Sequence, residues 1–320
     1  MQKLIFTEFN NNDVKQGSTL VLKASQKETK AGKPFVVMTL SDGTSKIDAR
    51  KWDTSLDDVK DTVEQVIDVE LERRDYNGSA SYVVNNVLGF DNNADMSEYV
   101  KCVRDAQQMY DSIIKILSEI CTIPERQIAL NLYREYKDQL INWAAATSNH
   151  HALKGGLIYH TYRMISTAVY LRRVYFPDRK TNQESMKSWN LLVIGCALHD
   201  IGKLKELETN NLGNATYTKE GNFFGHLFIG ATMILDEAKK GEYDEATVER
   251  LVHMIISHHG KLEYGAIKQP ATKEAIMLNM IDDMDARVEA CEEAMEETEP
   301  GSFSSPVFML ERTKIYKEND

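Results

Sequence analysis

All eight histidines of the 320-residue chain (His150, His151, His160, His199, His226, His253, His258 and His259) fall between positions 150 and 259. Imidazole is a common ligand for divalent transition metals. Gathering every imidazole into one stretch points to a polynuclear metal site built from one group of helices, set against the simpler reading that histidine merely clusters in one domain. His199-Asp200 favours the first. It ends the apolar run Leu191-Leu192-Val193-Ile194-Gly195-Cys196-Ala197-Leu198 and precedes Ile201-Gly202-Lys203. A helix apolar on nearly every face is buried, and charge at its end is costly unless paired or metal-bound. An aspartate also has two oxygens with which to bridge two ions. Adjacent His-Asp is common by chance. The weight comes from the ordered set around it: His160 before it, His226 after Gly225, the pair His258-His259, and Asp282 in Ile281-Asp282-Asp283-Met284-Asp285-Ala286.

Such side chains need elements to position them. Beyond the polar stretch 91–95 the pattern is helical. A helix is expected over 97–120, with Ser97 as cap and apolar Val100, Val103, Met109, Ile113, Ile114 and Leu117, and another from Ile123-Pro124 to about Thr147. Further helices are expected near 156–174, 184–198, 226–239, 246–258 and 272–296, with no strand after residue 95. Residues 1–95 read instead as strands. Leu20-Val21-Leu22 opens one; 34–40 and 45–52 follow across the turn Ser41-Asp42-Gly43; 66–71 and 82–88 are joined across Tyr76-Asn77-Gly78-Ser79. A short helix over 54–61, capped by Thr54, separates the third strand from the fourth. That is the order of an OB-fold, whose faces and loops bind oligonucleotides or oligosaccharides. The expected fold is therefore a multidomain chain, a five-stranded OB-fold β-barrel at 1–95 followed by an all-α helical bundle at 96–320.

A net charge of −11 argues against broad polyelectrolyte binding to nucleic acid, which needs many clustered cations. Contact must be local or metal-assisted. The barrel itself carries 12 Lys and Arg against 16 Asp and Glu in residues 1–95, but Lys23, Lys27, Lys30 and Lys33 gather in the first strand and the loop after it. With Phe35, Trp52, Tyr76 and Tyr82 as stacking platforms, a groove for a single strand would use Lys27, Lys30, Lys33 and Trp52; the competing reading is a solvated lysine loop and core aromatics. The four cysteines (Cys102, Cys121, Cys196 and Cys291) lack C-x-x-C spacing, so reduced thiols and a cytoplasmic protein are expected. No run approaches the ~20 apolar residues of a membrane span, and Met1 to Phe6 meets polar residues before a signal-peptide core could form.

The sequence resembles the metal-dependent HD-domain phosphohydrolases, whose pattern is a His, then His-Asp, then two further histidines in two-metal members, then an Asp. The fuller match is to the YhaM-type 3′-to-5′ exoribonucleases. It is carried by the N-terminal OB-fold, Gly155-Gly156-Leu157 with His160, LHDIGK at 198–203, Gly225-His226, SHHGKLEYG at 257–265 and IDDMDAR at 281–287, and covers nearly the whole chain. The resemblance implies that His160, His199, Asp200 and Asp282 hold one metal, and that His226 and His258 join the bridging Asp200 on a second. Asp285 is then expected behind the ligands. Consecutive helical residues diverge by ~100°, so His259 is expected to contact substrate or a further ion rather than share one with His258. Lys203 is expected to reach a phosphate oxygen or the nucleophile, His253 to be structural, and His150 and His151 to line the cleft entrance or do nothing. Manganese is the family's usual activator, with Fe²⁺, Co²⁺ and Ni²⁺ also open.

The implied function is an exoribonuclease on single-stranded RNA, with single-stranded DNA also open as a substrate and a homo-oligomer also open as the assembly. Two other classes remain: a phosphohydrolase of small or cyclic nucleotides, and a non-catalytic nucleic-acid-binding module, against which the complete ligand set weighs. Phe303, Phe308, Met309, Leu310 and Tyr316 imply that 301–320 packs on its own domain or on a neighbouring subunit.

Overall fold

Apolar residues at alternate positions build the strands of the first unit, Met1–Cys102. These are β1 (Val14–Glu28), β2 (Pro34–Ser41), β3 (Lys46–Trp52), β4 (Val66–Tyr76) and β5 (Ser79–Phe90), closed in the order β1-β2-β3-β5-β4. The computed structural model describes every residue except 77–78, 101, 104, 146–152, 177–182, 211, 297 and 320. All pairs are antiparallel except β3 with β5, where Ala49 meets Tyr82 in parallel. The long β1 pairs with β2 on one side and β4 on the other, and its ladder to β2 shifts between Val21 and Lys23. This closed five-stranded barrel fits the OB-fold. Met38, Leu40, Ala49, Ile67 and Leu71 fill its interior. The helix expected over 54–61 is two 3-10 turns, Leu56–Asp58 and Lys60–Thr62, and Thr54 does not cap them. Its hydroxyl turns back to the Trp52 carbonyl, while Asp58 accepts from the Ser55 N–H at 2.9 Å.

The second unit, Val103–Asp320, contains α1 (Ala106–Lys115), α2 (Arg126–Glu135), α3 (Lys137–Asn142), α4 (Gly156–Tyr175), α5 (Gln183–Leu198), α6 (Lys203–Glu206), α7 (Lys219–Ala238), α8 (Glu245–Ser257) and α9 (Lys273–Glu296). Two differences from the expected helices stand out. The first helix starts at Ala106 rather than near residue 97, because Tyr99 and Val100 are buried with the barrel and the Tyr99 carbonyl accepts from the Ser41 hydroxyl. A carbonyl used that way is lost to the helical ladder. Strands also occur after residue 95: β6 (Leu207–Thr209) and β7 (Ala215–Tyr217) form a hairpin, with Leu207 and Ala215 packed with Ala144 and Trp143. Three residues per strand are too few for alternation to show. Among the described residues no helix is long and apolar enough to cross a membrane.

Every residue of α5 from Trp189 to Leu198 is buried, and α4, α8 and α9 pack around it. At ~1.5–3 kcal/mol for each fully buried large aliphatic side chain, core packing fixes this helix independently of any ligand. His199 and Asp200 are thereby delivered to a set place.

The barrel depends on Asp42, which is fully buried. One carboxylate oxygen accepts from the Phe6 N–H at 2.8 Å; the other accepts from the N–H groups of Thr44 and Ser45 and the Thr44 hydroxyl. Burial opposes ionisation, yet the hydrogen bonds from Phe6, Ser45 and Thr44 outweigh it and hold the acid below its ordinary value. A depressed folded-state pKa stabilises above the unfolded value, and the gain disappears as pH falls through the folded value. Asp42→Asn presents an N–H to a donor and should cost about 2–3 kcal/mol at neutral pH. Hydrogen exchange of the barrel amides, corrected for intrinsic rates, should quicken on the order of a hundredfold, and the gap from wild type should close below about pH 4.

Candidate metal centre

Five imidazoles converge beneath a cavity of about 720 Å³ in the helical unit, and each is oriented from behind. The Nδ1–H of His199 donates to the Cys196 carbonyl at 2.9 Å, that of His258 to the Ile255 carbonyl at 2.8 Å, and that of His259 to the Tyr264 carbonyl at 3.0 Å. His160 Nδ1 donates to Asp285 Oδ2 at 2.8 Å and His226 Nδ1 to Glu206 Oε1 at 3.0 Å. Carbonyls and carboxylates only accept, so Nδ1 carries a hydrogen in every ring and Nε2 is the atom turned toward the other ligands. The Nε2 atoms face one another: His160 to His199 at 3.1 Å, His226 to His259 at 3.3 Å.

The carboxylates complete the cluster. Asp282 Oδ1 lies 3.3 Å from His160 Nε2. Asp200 Oδ2 lies 3.2 Å from His199 Nε2 and 2.7 Å from Lys203 Nζ, while Oδ1 faces His226 and His258 at 3.5 and 3.7 Å. Among the described residues, ligand atoms within 4.8 Å of one another form three groups: His160, His199 and Asp282; His199, Asp200 and His258; and His226, His258 and His259. Asp200 Oδ1 is buried without a hydrogen-bond partner. Convergent imidazole Nε2 atoms beside an orphaned buried carboxylate oxygen fit a bound cation. The donor set of imidazole nitrogen and carboxylate oxygen fits a divalent transition metal.

Local structure explains the convergence. α7 kinks at Gly225 (φ 70°, ψ 157°), so the helix expected from His226 begins earlier, at Lys219, where the Thr218 side chain accepts from the Gly221 N–H. The kink frees the His226 N–H, which donates to Glu206 Oε1 at 2.9 Å. Glu206 thus grips both backbone and ring of His226. Gly202 lets α6 approach α7, since a Cβ there would collide with the His226 carbonyl oxygen.

Charge follows the same pattern. Burial disfavours ionised Asp200, but the Lys203 ammonium and the His199 ring hold its pKa well below the usual range. Burial would also keep His160 neutral, yet Asp282 and Asp285 push its pKa up to about 9. His258 is held neutral by burial and by the His199 ring.

Residues 157–287 match the HD domain. The 3′-5′ exoribonuclease YhaM of Bacillus licheniformis is 32% identical over 304 residues, 93% of this chain and 93% of that protein. Proteins of the same name from Bacillus subtilis and Oceanobacillus iheyensis are 31% and 29% identical, covering 93% and 95% of this chain and 93% of each relative. The chain belongs to the YhaM family. HD domains of this kind are metal-dependent phosphohydrolases, and the clusters above are this member's candidate ligands.

The structure brings together all six residues that the resemblance to the YhaM family implied as ligands: His160, His199, Asp200, His226, His258 and Asp282. One expectation needs correction. His259 is not turned away from the ion site of His258: although His258 keeps helical φ/ψ (−64°, −24°), both rings join His226 in one group. Lys203 lines the cavity with its ammonium 2.7 Å from Asp200 Oδ2. Asp285 sits behind His160, braced by Arg163 Nε at 2.7 Å. His253 is structural, its Nε2 accepting from the Ala271 N–H at 2.9 Å. His150 and His151 lie outside the described residues. In the barrel, Lys27, Lys30 and Lys33 are exposed, and Trp52 is 45% exposed and packed on Phe35 at 4.8 Å. Tyr82 is buried against Phe6 and Phe9 and offers no platform; the Tyr76 side chain is not among those described. Glu206 and Arg163 went unread in the sequence, because each acts through a histidine that only the fold brings near.

Two outcomes follow from the geometry. Asp282→Asn should reduce hydrolysis by several orders of magnitude, whereas Asp285→Asn should cost on the order of 10–100-fold in metal affinity; metal analysis and kinetics on both variants rank them. The raised His160 pKa means that its second proton is bound below about pH 9 and gone above it. Loading Mn²⁺ at pH 7 should therefore release about one proton from this ring. Calorimetry in buffers of different ionisation heat reads this directly, and the release should vanish as pH rises through that value.

Proposed function

We propose that this chain is a metal-dependent exoribonuclease that shortens single-stranded RNA from its 3′ end. The observation that carries the reading is the ligand cluster around Asp200 at the base of an open cavity, in a chain alignable almost end to end with proteins named 3′-5′ exoribonuclease. His160, His199, Asp200 and Asp282 would hold one ion, and Asp200, His226 and His258, with His259 beside them, a second. Such ions supply Lewis acidity and an activated water for attack on the phosphodiester. Manganese suits this mixed donor set, with Fe²⁺, Co²⁺ and Ni²⁺ next.

The chain's own groups do the positioning. Lys203 holds Asp200 Oδ2 and leaves Oδ1 turned to the second set of rings. Asp285, Glu206 and three carbonyls fix the ring tautomers, so no ligand has to reorganise on binding. The barrel would grip the strand through Lys27, Lys30 and Lys33, with Trp52 as a stacking surface. A cytoplasmic setting agrees with the free state of all four cysteines. The same diester chemistry extends to single-stranded DNA, which serves as the comparison substrate.

Purified protein with Mn²⁺ should ladder 5′-labelled single-stranded RNA from the 3′ end, and Asp200→Ala should abolish the reaction while circular dichroism stays unchanged. Replacing Lys27, Lys30 and Lys33 together with Ala should raise KM for long RNA and flatten its salt dependence by ~0.7 per lost phosphate contact. Release of product only from mononucleotides or cyclic nucleotides would instead identify a small-molecule phosphohydrolase.

A further inference from the structure

The chain beyond residue 287 lies outside the match to the HD domain, yet part of it returns to the cavity. After α9, residues 301–317 fold into a hairpin. Phe303 bridges to Tyr316 with their rings 5.0 Å apart, Val307 bridges to Thr313, and the Ser304 N–H donates to the Ile315 carbonyl at 2.8 Å. The tip is a tight turn from Leu310 to Thr313, closed by the Thr313 N–H on the Leu310 carbonyl at 2.9 Å. Its central residues, Glu311 and Arg312, both have left-handed backbones (φ 56° and 62°). Such a turn favours Asn and Gly, and residues with a Cβ adopt it against their preference. Strain of that kind concentrates where a side chain must be presented in a set place.

Those side chains are presented to the cavity. Phe308, Met309, Glu311 and Arg312 line it together with Asp200 and Asp282. Arg287 ties the tip down, bonded to Asp283 on α9 at 2.9 Å and to Glu311 at 3.3 Å. The other two cations of the wall are thus engaged, Lys203 by Asp200 and Arg287 by Asp283 and Glu311. Arg312 has no carboxylate partner among the described residues, and Phe308 is 84% exposed. An unengaged guanidinium and an uncovered ring at the mouth of a diester-cleaving site match the two chemistries of a nucleotide, its phosphate and its base.

We propose that the C-terminal hairpin is a substrate strap, in which Arg312 binds a backbone phosphate of the RNA and Phe308 stacks on a base adjoining the cleaved bond. This assignment rests on the exoribonuclease reading above. Its contribution is to hold the strand, so it is expressed in KM for a polymer rather than in the turnover of the bond.

The test uses the full chain with Mn²⁺, a 5′-labelled oligoribonucleotide, and bis(p-nitrophenyl) phosphate as a diester without bases. Arg312→Ala should raise KM for RNA about tenfold with little change in kcat, and lower the slope of log KM against log salt by about 0.7. Arg312→Lys should restore the slope. Phe308→Ala should raise KM about tenfold without altering the slope, and Phe308→Trp should recover it. The proposal is overturned if either alanine variant lowers RNA and small-diester hydrolysis by one common factor, which is what damage to the site would do. It is equally overturned if RNA KM and its salt slope stay at wild-type values while wild type ladders RNA. If wild type cleaves the small diester but leaves RNA intact, the exoribonuclease reading itself has failed and the strap falls with it.

Discussion

The crowding of imidazole Nε2 atoms around a buried carboxylate is the constraint on which the rest of the helical unit depends. Each ring is denied its usual tautomeric choice by an acceptor on Nδ1, and Asp200 Oδ1 is denied any donor. Without a cation the centre is frustrated by construction, and only a strongly packed frame can keep it assembled. That frame is α5 and the helices around it, whose apolar surfaces are buried without reference to the site. Metal binding then draws on a site already organised, and its free energy adds to the stability of the helical unit.

Much of this was legible because core and chemistry use different letters. A run of ten buried residues ending in His-Asp declares both a core helix and a misfit at its end, and the barrel's strands declare themselves by alternation. What escaped was set by geometry at element ends. His258 and His259 were expected to diverge by the helical ~100°, yet both rings reach His226 in one group, because the ring nitrogens lie well beyond the Cβ atoms whose directions that angle sets. The kink at Gly225 and the reach of Glu206 to His226 likewise depend on φ/ψ values that a lone glycine permits without dictating.

Parity decides the barrel's aromatics in a similar way. Tyr82 pairs with Ala49, and both lie on the inward face; Trp52 stands three positions after Ala49 and so on the opposite face, against Phe35. Composition offers four aromatic candidates, of which Trp52 is the one assigned to the groove, and register separates this surface tryptophan from the core Tyr82. The acidic balance of the chain has the same lesson for charge. A net of −11 leaves room for local cationic sites, since Lys23, Lys27, Lys30 and Lys33 are all exposed along one strand and the loop after it.

α9 joins the ligand cluster to the C-terminal hairpin. Asp282 reaches into the ligand cluster, and Asp283, one residue on and therefore turned by ~100°, receives Arg287 on the side facing the hairpin tip. Two functions are thus read from neighbouring residues of one rigid helix, which fixes the distance between the bond to be broken and the surface beside it. A His/Asp cluster cannot tell one phosphodiester from another, since the phosphate it engages is common to all of them. Discrimination has to come from groups at the cavity mouth that meet bases and neighbouring phosphates, and on this chain those groups are carried by a segment outside the residues that match the HD domain.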